Sequence, residues 1–440
     1  MSSLLRDMMV KRKAGVPCGV ASYCTANELV IEALLRQAIR FDDGILIEAT
    51  ANQVNQFGGY TGMQPADFRD FVYRIAERVG YPKERIVLGG DHLGPLTWAS
   101  EPEEQAMAKA VELVQLFVRA GYQKIHLDTS MRLAGDPTPL SDRVIARRGV
   151  RLYQACEQAY QARKETDPSA ERPVFIIGSE VPIPGGAQEQ EEGVSVTTPE
   201  AAAQTLAVYR EEFSRAGLGD AFENIIGIVV QPGVEFGDDD IFHYDHWNAR
   251  SLCQELSKYE GVVMEGHSTD YQSPAELRQM VQDGIAILKV GPALTFALRN
   301  GLFALSRLEE ALLPPEQRVN FEAVLEQTML ANPEKWQRYY RGTEMEVALK
   351  RKYSFSDRCR YYFAQPEITG AIQRLLDNIN QVDLPLGLLY QYLPVQYAKV
   401  RDGVLKKEAK ALLLDFVVEV AEIYNFATRY NYLPNSEYSA

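Results

Sequence analysis

Residues 85–92 read RIVLGGDH, residues 124–130 read KIHLDTS and residues 261–270 read GVVMEGHSTD. Each is a short apolar run that ends on a His, an Asp or both. Runs of this kind, rich in β-branched residues and bounded by Gly and Asp, are the pattern of buried parallel strands. Five further runs share it: VPCGVAS (16–22), GILIEAT (44–50), PVFIIGSE (173–180), NIIGIVVQPG (224–233) and IAILKVG (285–291). The eight end near Ser22, Glu48, Asp91–His92, Asp128, Glu180, Gln231, His267–Asp270 and Lys289. Eight strands separated by helix-length stretches predict an α/β fold, a (β/α)8 TIM barrel. Functional groups at the carboxyl ends of those strands place the active site on that face.

The stretches between the runs carry helix signals. Asn27 stands as a cap before a helical pattern, and QPADFRDFVYRIAERVG opens on Pro65 and Asp67 and closes on Gly80. One barrel takes about 250 residues, so a chain of 440 residues calls for a second element. From Leu313 the pattern changes to helical segments rich in Tyr and Arg. The chain therefore divides into a barrel over 1–312 and a C-terminal helical extension over 313–440. Arg338, Tyr339, Tyr340, Arg341, Arg358, Arg360, Tyr361 and Tyr362 exceed what a solvated helix face needs. They have two readings: a segment folded back over the barrel mouth that contacts substrate, or a packing or oligomer interface, where Tyr and Arg are enriched.

Composition narrows the function classes. A net charge of −14 speaks against nucleic acid as a partner and requires a local cationic pocket for any anionic substrate. No apolar run approaches the about 18 residues of a membrane span. Charges interrupt the N-terminal segment, so it does not read as a signal peptide. Five scattered cysteines without CxxC pairs fit reduced thiols and a cytoplasmic location. No G-x-x-x-x-G-K-[ST] occurs, and GGYTG at 58–62 matches neither a phosphate loop nor a dinucleotide fingerprint, which sets aside a sugar-phosphate kinase.

The strand ends suggest chemistry. His92 and His267, on opposite walls of one mouth, make a divalent-metal site with a carboxylate, for which Glu180 is the candidate. Asp91, Asp128 and Asp270 are the candidate acid–base groups. Glu48, Gln231, Ser268 and Lys289 are candidate substrate contacts. Each has a plainer reading: Asp91 and Asp128 as caps, Glu180 as a salt-bridged loop anchor, Lys289 as a barrel-interior ion-pair partner rather than a Schiff-base or anion-binding amine. Consecutive strand residues point oppositely, so Asp91 and His92 both reach the site only if the chain turns there. His126, inside its strand, is expected to be packed in the barrel; His243 and His246 read as surface residues. Cys18 and Cys24 flank strand 1 with no partner pattern.

IEATANQVNQFGGYTGM (47–63), GGDHLGP (89–95), KIHLDTSMRLAGDP (124–137), VQPGVEFG (230–237), HSTDYQ (267–272) and LKVGPALTFALR (288–299) resemble the Z-subunit family of tagatose-1,6-bisphosphate aldolases, the GatZ/KbaZ type. The resemblance runs over nearly the whole chain. It implies a barrel related to class II aldolases, which hold a metal with histidines beside an acid. Asp91–His92 looks like that pair, His267 like the strand-7 histidine, and EVPIPGGAQE (180–189) like the Glu-bearing loop. The class II phosphate clamp has a small Gly/Ser stretch and an Asn-rich turn where STD and GPALT stand here. Asp270 repels a phosphate, which favours an unphosphorylated sugar.

Two activities follow from the resemblance. One is a metal-dependent ketohexose 4-epimerase acting on tagatose and fructose, or on the corresponding uronates. Cleaving C3–C4 needs a Lewis acid on the C2 carbonyl and a base at the C4 hydroxyl, and rotation of the aldehyde before the bond re-forms inverts C4. The other is a non-catalytic subunit that stabilises a class II aldolase catalytic subunit. The expected partners are a small-molecule ketose, that aldolase subunit, or a second copy in a homo-oligomer. The expected cofactor is a divalent ion: Zn, Mn, Co or Ni.

Overall fold

A computed structural model describes residues 3–42, 44–181 and 194–430. Most of the EVPIPGGAQE loop lies outside the described residues. The chain opens with α1 (Ser3–Lys13) and then alternates: β1 (Val20–Cys24), α2 (Glu28–Ala38), β2 (Ile45–Thr50), α3 (Pro65–Val79), β3 (Ile86–Leu93), α4 (Glu103–Ala120), β4 (Lys124–Leu127), α5 (Asp142–Thr166), β5 (Val174–Ile177), α6 (Pro199–Arg215) and β6 (Ile225–Val230). A small antiparallel pair, β7 (Glu235–Phe236) and β8 (Ile241–Phe242), precedes α7 (His246–Leu256), β9 (Val263–Gly266), α8 (Pro274–Gln282), β10 (Ile285–Val290) and α9 (Pro292–Leu312). The eight longer strands close into a parallel barrel in the order β1-β10-β9-β6-β5-β4-β3-β2. All eight expected runs are its staves.

Local chemistry explains the punctuation. The Asn27 side chain accepts from the amides of Leu29 and Val30 at 3.0 and 3.1 Å, satisfying α2's first free donors. Gly80 ends α3 at φ 76°, in the left-handed region that favours glycine. Inside the barrel, register places Glu48, Gly89 and Lys124 level with one another. A Cβ on Gly89 would sit 2.5 Å from Glu48 Oε1 and 2.7 Å from its Cγ, so only glycine leaves room for the Glu48 side chain to cross the barrel.

The C-terminal region is helical: α10 (Phe321–Ala331), α11 (Glu344–Tyr353), α12 (Pro366–Asn380), α13 (Leu386–Tyr392), α14 (Pro394–Arg401) and α15 (Ala409–Thr428). Its apolar residues join the same core that lies between barrel and helices, with α15 packed across α9, α8 and α2. The α11–α12 connection is pinned over the barrel mouth at several points. Tyr271 Oη donates to the Phe355 carbonyl at 2.6 Å, and the Phe355 amide donates to the Asp238 carbonyl at 2.8 Å. Thr295 Oγ1 and Arg299 Nε, both on α9, donate to the two oxygens of Asp357 at 2.6 and 3.1 Å. Asp357 sits at φ 44°, a strained conformation that this fourfold anchoring holds. The two sequence readings of this region divide by residue. Arg360 and Tyr361 line the mouth cavity, whereas Tyr340 and Tyr362 are buried in packing, and Arg338 and Arg341 are exposed. Among the described residues no helix is long and apolar enough to cross a membrane.

Candidate active site at the barrel mouth

Strand periodicity builds the site in two tiers. Lys124 and His126 on β4, and Glu265 and His267 at the end of β9, are i, i+2 pairs and share the inward face. The lower tier is ionic. Lys124 Nζ lies 2.6 Å from Glu48 and 2.8 Å from Glu265, while Lys289 Nζ pairs with Glu48 and lies 2.7 Å from Asp91. The upper tier is three imidazoles. The ring centroids of His92, His126 and His267 are 4.8–5.2 Å apart, and all three rings are buried.

Each imidazole spends one nitrogen on a carboxylate. His92 Nδ1 is 2.8 Å from Asp128, His126 Nδ1 is 2.9 Å from Asp91, and His267 Nε2 is 2.9 Å from Glu265. This is how metal-binding histidines are oriented: the outer carboxylate sets the tautomer and leaves the other nitrogen as a donor. His126 Nε2 is buried with no hydrogen-bond partner among the described residues, as expected of a ligand nitrogen rather than a packed one. Ligand atoms of Asp91, His92, His126 and His267 all lie within 4.8 Å of one another. The donor set fits a divalent ion of the zinc or manganese type. A second group, Cys24, Glu48 and Asp91, is also close-set. It suits a metal less well, because burial pushes the Cys24 thiol well above its ordinary pKa and Lys289 already occupies both carboxylates.

Electrostatics sort the acids. Burial alone would raise Asp91, but His92, Lys289 and His126 hold it well below the usual carboxylate range. Burial likewise opposes Asp128, and its bond to His92 wins, again lowering it. Asp270 differs. Burial raises it to about 6, against the amides of Ala293 and Gly291, which donate to its Oδ1 at 2.8 and 2.9 Å. Burial also drives His267 down to about 3, which keeps that ring neutral and able to donate a lone pair. His92 goes the other way: burial lowers it, but Asp91 and Asp128 raise it further.

The residues singled out from sequence are placed as follows. Asp91, His92, His267, Ser268, Asp270 and Lys289 line one cavity of about 570 Å³. Asp91 and His92 both reach it because His92 adopts φ 47°, which breaks the strand alternation at that residue; Ser268 does the same at φ 53°. Asp128 and Glu48 stand behind the lining as partners of His92 and of the two lysines. Lys289 is the ion-pair partner: burial works against its charge, but Asp91, Glu48 and Glu265 hold the ammonium well above its ordinary value, which denies it Schiff-base chemistry.

Glu180 is not brought to the cluster. It is exposed, because the chain bends away from the barrel at Ser179 after β5 ends at Ile177, and Asp91 is the carboxylate beside the imidazoles. Gln231 also turns aside: its Oε1 accepts from the amides of Gly233 and Val234 at 2.9 and 3.0 Å and closes its own turn. His126, expected to be packing, is the third imidazole. Glu265 and Lys124 are two further site residues missed from sequence, and the i, i+2 spacing to His267 and His126 was their signal. His243 is exposed, and His246 is bonded to Asp283 on the outer surface.

Comparisons with known proteins bear on the family and the fold. The family model described as D-tagatose-1,6-bisphosphate aldolase subunit GatZ/KbaZ-like matches residues 5–429. Proteins of Salmonella dublin and Salmonella gallinarum, both named D-tagatose-1,6-bisphosphate aldolase subunit GatZ, are 46% identical over 422 residues, covering 96% of this chain and 98% of their own. A crystal structure described as a probable tagatose 6 phosphate kinase from Sinorhizobium meliloti 1021 matches with TM-score 0.85 and 44% identity, covering 93% of this chain and 100% of its own. That description stays with its own protein; the present sequence has no P-loop.

Proposed function

The chain belongs to the GatZ/KbaZ-like family of D-tagatose-1,6-bisphosphate aldolase subunits, and from that premise we propose that its barrel mouth is a working site, a metal-dependent 4-epimerase of ketohexoses or their uronates. The observation that carries the reading is the trio of carboxylate-anchored imidazoles at one cavity. His92, His126 and His267, with Asp91 beside them, would hold a divalent ion, which would supply Lewis acidity for the C2 carbonyl of a ketose.

The chain's own groups do the rest. Asp270 takes the proton of the C4 hydroxyl: it lines the cavity, its Oδ1 is fixed by two amides, and a carboxyl near 6 is matched to proton transfer at neutral pH. As O4 gives up its proton, the C3–C4 bond breaks and its electron pair moves toward the C2 oxygen. The aldehyde turns, C3 attacks its other face, and Asp270 returns the proton to O4. Asp91 and Asp128, ionised and fully engaged, orient the imidazoles instead of carrying protons. The segment pinned by Asp357 and Tyr271 stands at the mouth and brings Arg360 and Tyr361 to the cavity lining.

The names of the relatives at 46% identity speak for a second reading, a partner subunit of a class II aldolase. One experiment separates the two. The purified chain, with Mn, Co, Ni or Zn added, is incubated alone with D-fructose or D-fructuronate in deuterated water and followed by NMR. The epimerase reading expects the C4 epimer with no deuterium at C4. A chain inert on these sugars that raises the activity of a separate class II aldolase establishes the partner reading.

A further inference from the structure

The C-terminal segment brings to the cavity a cation that no carboxylate contacts among the described residues, although Asp270 and Asp357 act on it through space. Three cations line the space: Lys289, Lys410 and Arg360. Lys289 is paired with Glu48 and Asp91, and Lys410 with Glu32 at 2.8 Å. Arg360 has no ion pair among the described residues. Its Nη1 donates to the carbonyls of Ser356 and Asp357, and its Nη2 donates to Tyr361 Oη at 3.0 Å. The nearest acid in sequence, Asp357, is engaged by Arg299 and Thr295. A guanidinium drawn out of bulk water without a counter-ion is unfavourable unless a ligand brings one.

The surroundings are built for such a ligand. Arg360 lies over the Tyr361 ring at 4.6 Å, and the Tyr60 and Tyr361 rings meet edge to face at 4.8 Å, so the planar fork is held in one orientation. The other natural anion position at this mouth is taken. The N-terminus of α9 would attract a phosphate or carboxylate, but Asp270 already accepts its amides from Gly291 and Ala293. An anion entering the cavity is turned away from that helix end and toward Arg360.

We propose that Arg360, with the hydroxyls of Tyr60 and Tyr361, binds an anionic terminal group of the ketose, a carboxylate or a phosphate monoester at C6, so that the substrate is an acidic sugar and not a neutral one. This deepens the reading of the mouth as a ketose site and rests on it.

The test is isothermal titration of the purified chain with D-fructuronate, D-fructose 6-phosphate and D-fructose, for wild type, Arg360→Gln and Arg360→Lys. Wild type should bind one acidic ketose about 10- to 100-fold more tightly than D-fructose, the worth of a charge-assisted contact. Arg360→Gln should erase that preference by weakening the acidic ligand, while Arg360→Lys keeps part of it. Which acid binds more tightly distinguishes carboxylate from phosphate. Wild type supplies an arm free of folding effects: added KCl should weaken the acidic ligand and spare D-fructose. Equal wild-type affinities for all three sugars, a salt-independent preference, or a preference that survives in Arg360→Gln would overturn the proposal. Turnover decides the other reading separately. Acidic ketoses that bind as expected but never react leave this subsite standing and remove the epimerase. D-fructose turnover by wild type with no preference for acidic ketoses does the reverse.

Discussion

The two walls of the cavity solve opposite problems. The strand-end wall is electrostatically closed: Lys124, Glu48, Lys289, Asp91, Glu265 and the three imidazoles each have a partner of opposite or complementary character. The C-terminal wall is open, with Arg360 held by hydrogen bonds and left without a contacting carboxylate among the described residues. A closed network fixes geometry before anything binds, which suits three nitrogens that must face one ion. An open charge is completed by the ligand and discriminates among ligands. In the proposed function, one wall sets what reaction can occur, and the other sets which molecule undergoes it.

The sharpest way to break this contrast is at the imidazoles. His126→Ala should strip bound metal and abolish turnover, a loss beyond the about 10- to 100-fold that outer partners are worth. Full metal content in His126→Ala, by elemental analysis, would remove the upper tier from the mechanism. Next comes Asp270→Asn, expected to lower kcat by about 10²–10⁴. Because burial raises the Asp270 carboxyl to about 6 and the ionised form is the acceptor, wild-type kcat/KM should be full above that pH and fall as pH drops through it. The variant should lack that acid limb; an unchanged pH profile would hand the proton to another group.

The lower tier is tested by stability. Lys124→Met leaves Glu48 and Glu265 in the barrel with Lys289 as the cation that remains beside both, at a cost of about 3–5 kcal/mol in urea unfolding. A value near zero would mean that Lys289 alone neutralises both acids. Glu265→Gln keeps the hydrogen-bond shape beside His267 but not the charge, and metal affinity should fall about 10- to 100-fold. The smallest effect belongs to the open wall. Arg299→Met releases Asp357 and loosens the turn that carries Arg360, so KM should rise severalfold while kcat holds. A kcat loss instead would place that turn in the chemistry.

Much of the strand wall could be read from the chain. RIVLGGDH and GVVMEGHSTD advertise Asp91–His92 and His267 because those residues end apolar runs, where a barrel puts its chemistry. KIHL hid His126, since a lone histidine inside a four-residue run reads as core. Counting by twos from Lys124, and from Glu265 to His267, would have shown both tiers. Glu180 and Gln231 were reached by the same strand-end logic and stand elsewhere. A strand end fixes where a residue sits, while the loop that follows decides where its side chain points.

Sequence alone determined the eight staves, their order along the chain, most of the cavity's strand-end residues and the family. These are local signals: period-two inward faces, β-branched runs, caps and long motif strings, all carried within a few residues. Only the tertiary structure decided that His126 faces the cavity, that Asp270 occupies the head of α9, and that residue 360 meets a barrel whose last strand ends at residue 290. Those outcomes depend on barrel closure, which sets the register between strands far apart in sequence, and on helices packing back over the mouth. Contacts of that range arise from burying a shared core, and no short stretch of the chain encodes them.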